Sequence, residues 1–285
     1  MGRSAAVVSN VDNLTDTPGR VAVVDIGSNT VRLVVYDAPT RLPIPVFNEK
    51  AECGLVRGLN ETGRLNPEGV EEAIRSLKRF SLLSESMNVE EIALLATAAV
   101  REAADGQAFV ERISMTSGLE VRVLSGEEEA RLSALGLLSG RRLIDGLLAD
   151  IGGGSVDLVE VRKGQFGRSG TLPLGNLRLR ERSGESGIQA MRIVTEALDE
   201  LPWLSNVKGR NLFLAGGGCR ALARVFIAQA NYPLHVFDGY KIRRGDARRI
   251  CEVIVGMGPN SIWGVSDISK GRLASLPFIA SVVNG

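Results

Sequence analysis

The chain has 285 residues, more than a single domain usually holds, and its 44% hydrophobic content is ample for the cores of two domains. A net charge of +1 creates no global demand for a polyanionic partner. Three widely spaced cysteines and one histidine argue against a disulfide framework or a Cys/His zinc site and point to a reducing, cytoplasmic setting. No apolar run approaches the ~20 residues needed to span a bilayer, so no membrane partner is expected.

Residues 1–19 lack both periodicity and a secretory core and read as a flexible leader. The stretch Val23–Tyr36 is an apolar run, Asp25, a turn at Gly27-Ser28-Asn29, and a second run with alternating apolar residues, which predicts a β-hairpin. Pro39, Pro43 and Pro45 mark a linker before a strand that ends near Cys53. Asn66-Pro67-Glu68 opens a helix, with Asn as N-cap and Pro at the first helical position. Val70, Ala73, Ile74, Leu77, Phe80 and Leu83 define its buried face. A strand over Ile92–Ala96 delivers Thr97 and Arg101 to a strand-to-helix junction suited to an anion. Asp105 is placed to cap a helix through Ile113, and Val121–Leu124 is a further strand. Ser125 and Glu128 form a capping-box pattern. The helix they open is expected to cross between the domains, with Leu132, Leu135 and Leu138 running toward the second half and one first-turn carboxylate at the cleft.

That second half opens by repeating the first hairpin. Leu148–Val161 lies without gaps on Val23–Tyr36, keeping Asp-Ile-Gly and then Val, Leu and Val at a constant offset of 125 residues. Its turn is Gly152-Gly153-Gly154-Ser155. Small residues let backbone N–H groups approach phosphate oxygens. The Asp before each turn, Asp25 or Asp150, offers a carboxylate for hydrated Mg²⁺ or a water. Either copy alone reads equally well as an ordinary glycine turn, and the duplication favours a ligand site. Two such turns facing each other across a cleft would clamp a polyphosphate. Downstream, a strand begins at Gln165, and Arg178, Arg180 and Arg182 follow Gly175 on alternate residues. A helix near 188–201 stops at Pro202. A strand over Asn211–Ala215 runs into Gly216-Gly217-Gly218 and a helix from Cys219, a third phosphate-style cradle. Lys241, Arg243, Arg244, Arg248 and Arg249 form a basic segment, and Arg272 lies near the start of the last helix. A solvated charge run is the plainer reading of the arginines. His235 reads as a packing or surface residue. Trp203 and Trp263 are not interleaved with basic residues, so no stacking platform for nucleic acid is expected.

Six segments in order carry a family resemblance: Asp25–Leu33, Ala96–Arg101, Ser125–Leu132, Asp150–Ser155, Leu174–Leu179 and Ala215–Gly218. They resemble the motifs of the exopolyphosphatase/guanosine pentaphosphate phosphohydrolase family, over roughly residues 20–285. The resemblance implies an α/β fold of two domains with actin-like, ribonuclease-H-like topology and a phosphate-binding cleft between them, assigned here to residues 20–130 and 131–285. It implies hydrolysis of the terminal phosphate of inorganic polyphosphate, or of guanosine pentaphosphate, with Mg²⁺ as cofactor. A homodimeric assembly is left open. By position, Glu128 would activate water. Ser28, Asn29, Arg32, Arg101, Gly152, Gly153, Gly154, Ser155, Gly217 and Gly218 would bind substrate, and Asp25, Asp150 and Asp157 would hold the metal. Asp157 stands where the family has Glu, one methylene longer, and Cys219 where it has a small hydroxyl. The family's closing strand and helix are not found before Gly285. A non-hydrolytic binder and an ATP-driven kinase are the competing classes. Glu128 argues against the first, and the lack of an adenine-binding signature argues against the second.

Overall fold

The structure, a computed structural model, describes residues 19–40, 42–140, 144–234, 236–257 and 268–285. Residues 1–18, His235 and Trp263 therefore lie outside the described residues. The chain divides into two compact units at Ser125/Gly126. The expected boundary at 130/131 fell five residues later. The difference arises because the helix beginning at Gly126 packs along its whole length on the second sheet.

Unit 1 contains β1 (Arg20–Ile26), β2 (Thr30–Tyr36), β3 (Pro45–Glu52), α1 (Leu59–Thr62), α2 (Pro67–Ser86), β4 (Val89–Ala96), α3 (Ala98–Glu102), α4 (Gly106–Ser117) and β5 (Val121–Val123). The strand order is β3-β2-β1-β4-β5, with β1–β2–β3 an antiparallel meander and β4 and β5 added in parallel. This is the ribonuclease-H-like topology. Alternation along the strands buries Ala22, Val24, Ile26, Val31, Leu33 and Val35 and turns Asp25 and Arg32 to the other face. The helix α2 brings Ala73, Ile74, Leu77 and Phe80 to the core, while Val70 and Leu83 are only half-buried at its margins. Burying side chains such as Leu77 and Phe80 contributes about 1.5–3 kcal/mol each. Asn66 occupies the N-cap position but does not cap through its side chain; its Nδ2 donates to the Gly54 carbonyl instead. Asp105 likewise spends Oδ1 on the Leu65 amide.

Unit 2 begins with α5 (Gly126–Gly140). It continues through β6 (Gly146–Ile151), β7 (Val156–Arg162), β8 (Gln165–Leu172), α6 (Asn176–Arg182) and α7 (Gly187–Asp199). After a 3-10 turn at Pro202–Val207 come β9 (Asn211–Ala215), α8 (Gly217–Gln229), α9 (Arg244–Gly256) and α10 (Lys270–Asn284). The order β8-β7-β6-β9 repeats the meander-plus-parallel pattern of unit 1. Here both sheet faces are covered. Ala149, Ile151, Val156 and Leu158 join Leu179, Val194, Leu222 and Phe278 in the larger core. On the opposite face, Leu148, Val159 and Val161 pack under Ala130 and Ala134 of α5, with Leu137 and Leu138 alongside. The inward stripe of α5 is therefore the alanines. Leu132 and Leu135, two of the three leucines expected to run toward the second half, are 44% and 45% exposed. Small residues at the contact let the helix approach the sheet closely, and the 3.6-residue period then carries those two leucines outward. No helix among the described residues is long and apolar enough to cross a membrane.

Candidate phosphate and cation site

In the first hairpin the turn is closed by the Gly27 amide donating to the Thr30 carbonyl at 2.9 Å. The Ser28 carbonyl accepts from Val56 N at 3.0 Å, and the Asn29 carbonyl accepts from Cys53 N and Gly54 N at 2.8 and 2.9 Å. A trans peptide points its N–H opposite its C=O. Anchoring the Ser28 carbonyl to the 53–56 loop thus turns the Asn29 amide away from that loop. Asp25 is exposed and pairs in register with Arg32, so opposite charges stand across the strands. Arg32 Nε donates to Asn48 Oδ1 at 2.9 Å. Arg101 sits at the end of α3 and donates through Nη1 to the Leu124 carbonyl at 2.8 Å, so part of its hydrogen-bonding capacity holds the strand end.

The second turn is built the same way and buttressed more firmly. Gly152 N donates to Ser155 O at 3.0 Å, and Ser155 is buried. From α6, Asn176 N donates to Gly152 O and Leu177 N to Gly153 O, both at 3.0 Å. A Cβ on Gly175 would lie 2.3 Å from backbone atoms of Gly154, so only glycine lets α6 sit this close. By the same peptide geometry, the amides of Gly153 and Gly154 point away from α6. The helix start thus uses its own amides to orient the turn.

Across the sheet at this level runs one transverse row: Ala215, Asp150, Asp157 and Thr171 are register partners on β9, β6, β7 and β8. Where the first hairpin opposes Asp25 to Arg32, the second opposes two carboxylates. Asp157 is 4% exposed, and its Oδ1 accepts from Thr171 Oγ1 at 2.6 Å. Asp150 Oδ2 accepts from Ser133 Oγ on α5 at 2.7 Å. Burial pushes the Asp150 carboxyl above its ordinary range, offset in part by the Ser133 hydroxyl and by the charge of Arg220. Like charges directly opposed destabilise a sheet unless something neutralises them. Two hard carboxylates fit Mg²⁺, which binds through one or two carboxylates and keeps water and phosphate oxygens for its other positions.

Of the three glutamates opening α5, Glu127 is exposed and Glu128 and Glu129 are half-buried. Residues four apart share a helix face. Glu129 therefore lies on the side of Ser133, whose hydroxyl meets Asp150, and Glu128 lies on the side of the outward Leu132. Helix phase thus separates Glu128, chosen from the sequence, from the Asp150 side and brings Glu129 toward it.

The third turn begins at Gly216, whose φ of 101° and closeness to Ile151 O (2.5 Å from a built Cβ) require glycine. A Cβ on Gly217 would have only the Nη2 atoms of Arg220 and Arg272 near it, both at 3.8 Å. Two guanidinium groups, one from α8 and one from α10, thus converge on the start of α8. Gly218 faces Ile279, 2.5 Å from a built Cβ, so helix packing already accounts for its small size. Sequence reading missed Arg220, Ser133 and Thr171 and gave Arg272 no role. The available signal was the placement of each arginine in the first turn of a helix, one directly after a glycine turn. Cys219 is buried and its thiol pKa is raised by burial. The basic run is broken up: Arg180 pairs with Glu185, Arg182 donates to Pro173 O, Arg248 pairs with Glu252 and Arg249 with Asp246.

The profile of the Ppx/GppA phosphatase family matches residues 34–284. Exopolyphosphatase 1 of Mycobacterium tuberculosis is 32% identical over 166 residues, covering 56% of this chain and 47% of the relative. The chain thus spans about half the length of the curated relatives it matches. A crystal structure of an exopolyphosphatase from Cytophaga hutchinsonii superposes with a TM-score of 0.81 at 23% identity, covering 93% of this chain and 88% of that one. The Aquifex aeolicus member of the Ppx/GppA family superposes with a TM-score of 0.73 at 24% identity, covering 93% and 89%. At these identities the two structures establish the shared fold.

Proposed function

The chain belongs to the Ppx/GppA phosphatase family, and from that premise we propose that it hydrolyses the terminal phosphoanhydride bond of inorganic polyphosphate. The observation that carries this reading is the row of Asp150 and Asp157 lying beside the first two turns of α5. Transfer of a phosphoryl group to water needs an in-line water and charge neutralisation on the equatorial oxygens, with little covalent chemistry. Outward amides of Gly153 and Gly154, with Ser155, Gly217, Arg220 and Arg272, supply hydrogen bonds and positive charge from unit 2. By the hairpin repeat, Asp25, Ser28, Asn29 and Arg32 hold the equivalent positions within unit 1, with Arg101 at the end of α3. Asp150 and Asp157 would hold Mg²⁺, which when bound neutralises phosphate charge. For the base we favour Glu129 over Glu128, because Glu129 shares the Ser133 side of α5. An ionised carboxylate there orients the water and accepts its proton. Three free, buried cysteines support a reducing, cytoplasmic setting.

Guanosine pentaphosphate presents the same terminal phosphate, and a substrate panel separates the two. The protein is incubated with polyphosphate, guanosine pentaphosphate or ATP in the presence of Mg²⁺, and phosphate release is followed. Release from polyphosphate well above that from ATP is expected. Faster release from guanosine pentaphosphate would reassign the substrate, and no release from any of the three would overturn the hydrolase reading.

A further inference from the structure

Two hydroxyls in unit 2 have a geometry that the reaction as described does not use. Thr171 Oγ1 donates to Asp157 Oδ1 at 2.6 Å, and Ser133 Oγ donates to Asp150 Oδ2 at 2.7 Å. Each carboxylate of the opposed pair is thus gripped by one hydroxyl from a different neighbouring element, β8 on one side and α5 on the other. Thr171 also lies under the start of α5, since its Oγ1 sits 2.6 Å from where a Cβ of Gly126 would be. Gly126 is the residue from which the Glu127–Glu129 turn begins. The two hydroxyls therefore join the carboxylate row to both the origin and the second turn of the helix that carries the candidate base.

We propose that Thr171 and Ser133 are positioning residues that preset the Asp150–Asp157 pair for a divalent cation and hold the α5 glutamates in register with it. This rests on the reading that the pair is the cation site. An aspartate side chain has a soft terminal torsion. A hydroxyl donating to one oxygen removes that freedom before a cation arrives and directs the remaining lone pairs. Asp157 is almost fully buried, so water cannot readily replace the Thr171 hydroxyl there. Partners of this kind typically change metal affinity by about 10–100-fold when removed. The one-methylene difference between Asp and Glu matters here as well: the shorter Asp157 side chain reaches Thr171 on the adjacent strand within the sheet.

The test reads cation binding directly, by the loss of the free Mn²⁺ paramagnetic resonance signal on titration into the apo protein, and then phosphate release from polyphosphate. Thr171→Val removes the hydroxyl at nearly constant volume, and Thr171→Ser keeps it; Ser133→Ala and Ser133→Thr form the same pair on α5. Thr171→Val and Ser133→Ala are expected to raise the Mn²⁺ dissociation constant about 10–100-fold, with Thr171→Ser and Ser133→Thr close to the parent. Asp157→Asn separates the layers of the inference. If Asp157→Asn binds Mn²⁺ like the parent, the pair is not the cation site and the underlying reading fails. If Asp157→Asn loses binding while Thr171→Val and Ser133→Ala keep it, the reading stands and the positioning role is overturned. Equal losses in Thr171→Val and Thr171→Ser would also overturn it, because shape rather than the donated proton would then matter. Should Thr171→Val fail to fold, Ser133→Ala on the helix decides the same question.

Discussion

At the scale of single residues, the proposed chemistry turns on which carboxylate of α5 lies on the Ser133 side of the helix. Glu129 shares its side of the helix with Ser133, and Glu128 shares its side with Leu132. Glu129→Gln keeps size and hydrogen bonding but removes the proton acceptor, so phosphate release is expected to fall by about 10²–10⁴, the usual cost of losing a general base. Glu127→Gln and Glu128→Gln are expected to change turnover far less. A large loss in Glu128→Gln with near-normal Glu129→Gln would return the role to Glu128. The thiols carry a second expectation. Burial pushes Cys53 to about 11 and Cys251 to about 12, and raises Cys219 as well. All three are buried and stay protonated at pH 8, where the thiolate is the reactive form. A disulfide reagent should label the native protein slowly and reach three thiols per chain only after unfolding.

At the scale of elements, the glycine turn at Gly152–Ser155 depends on α6 approaching it closely. Gly175→Ala would place a Cβ 2.3 Å from Gly154 backbone atoms, where no flexible side chain can yield. Overpacking of this kind costs about 1–3 kcal/mol. The denaturation midpoint should fall accordingly, and phosphate release should fall further than stability alone explains, because the turn amides lose their orientation. The basic segment before α9 makes a different expectation. Arg243 and Arg244 are exposed and have no ion pair among the described residues, unlike Arg248 and Arg249. If they track a polymeric substrate, replacing both with Ala should weaken long polyphosphate more than short chains, with affinity that declines as salt rises. Equal losses for both lengths would remove them from a chain-tracking surface. Arg178, Arg180 and Arg182 do not form one basic stripe, because residues two apart on a helix do not share a face, and Arg178 is buried.

At the scale of the whole molecule, unit 2 is tied together at the opposite end of its sheet by an ion-pair network. Arg210 Nη1 reaches Glu160 Oε1 at 2.8 Å, its Nε reaches Asp145 Oδ1 at 2.7 Å, and its Nη2 donates to Val161 O at 2.7 Å. The hydrogen bond from Arg162, joined by Arg210, holds the Glu160 carboxyl below its ordinary 4.5. A depressed carboxylate stabilises the fold fully above that ordinary value and loses its contribution as pH falls through the folded-state value. Glu160→Gln should therefore lower the denaturation midpoint at pH 7, and its difference from the parent should shrink as pH drops below 4.5. A difference that persists unchanged in acid would mean the network contributes through packing alone. The paired hairpins, their turns and most strand and helix positions were legible from sequence, because alternation, glycine turns and helix periodicity are encoded within a few residues of each other. Asp150 was picked out by the turn that it precedes and Asp157 only through the family resemblance, while the register that opposes the two is a property of the folded sheet. Other features were decided only by tertiary packing. Small alanines, not large leucines, let α5 settle on β7 and β8, and that phase put Glu129 on the Ser133 side of the helix and Glu128 on the Leu132 side. Docking of α10 brought Arg272 beside Arg220 at the start of α8, and docking of β8 against β7 brought Thr171 to Asp157. Helical phase and long-range docking depend on which surfaces bury best together, and no local stretch of the chain contains that information.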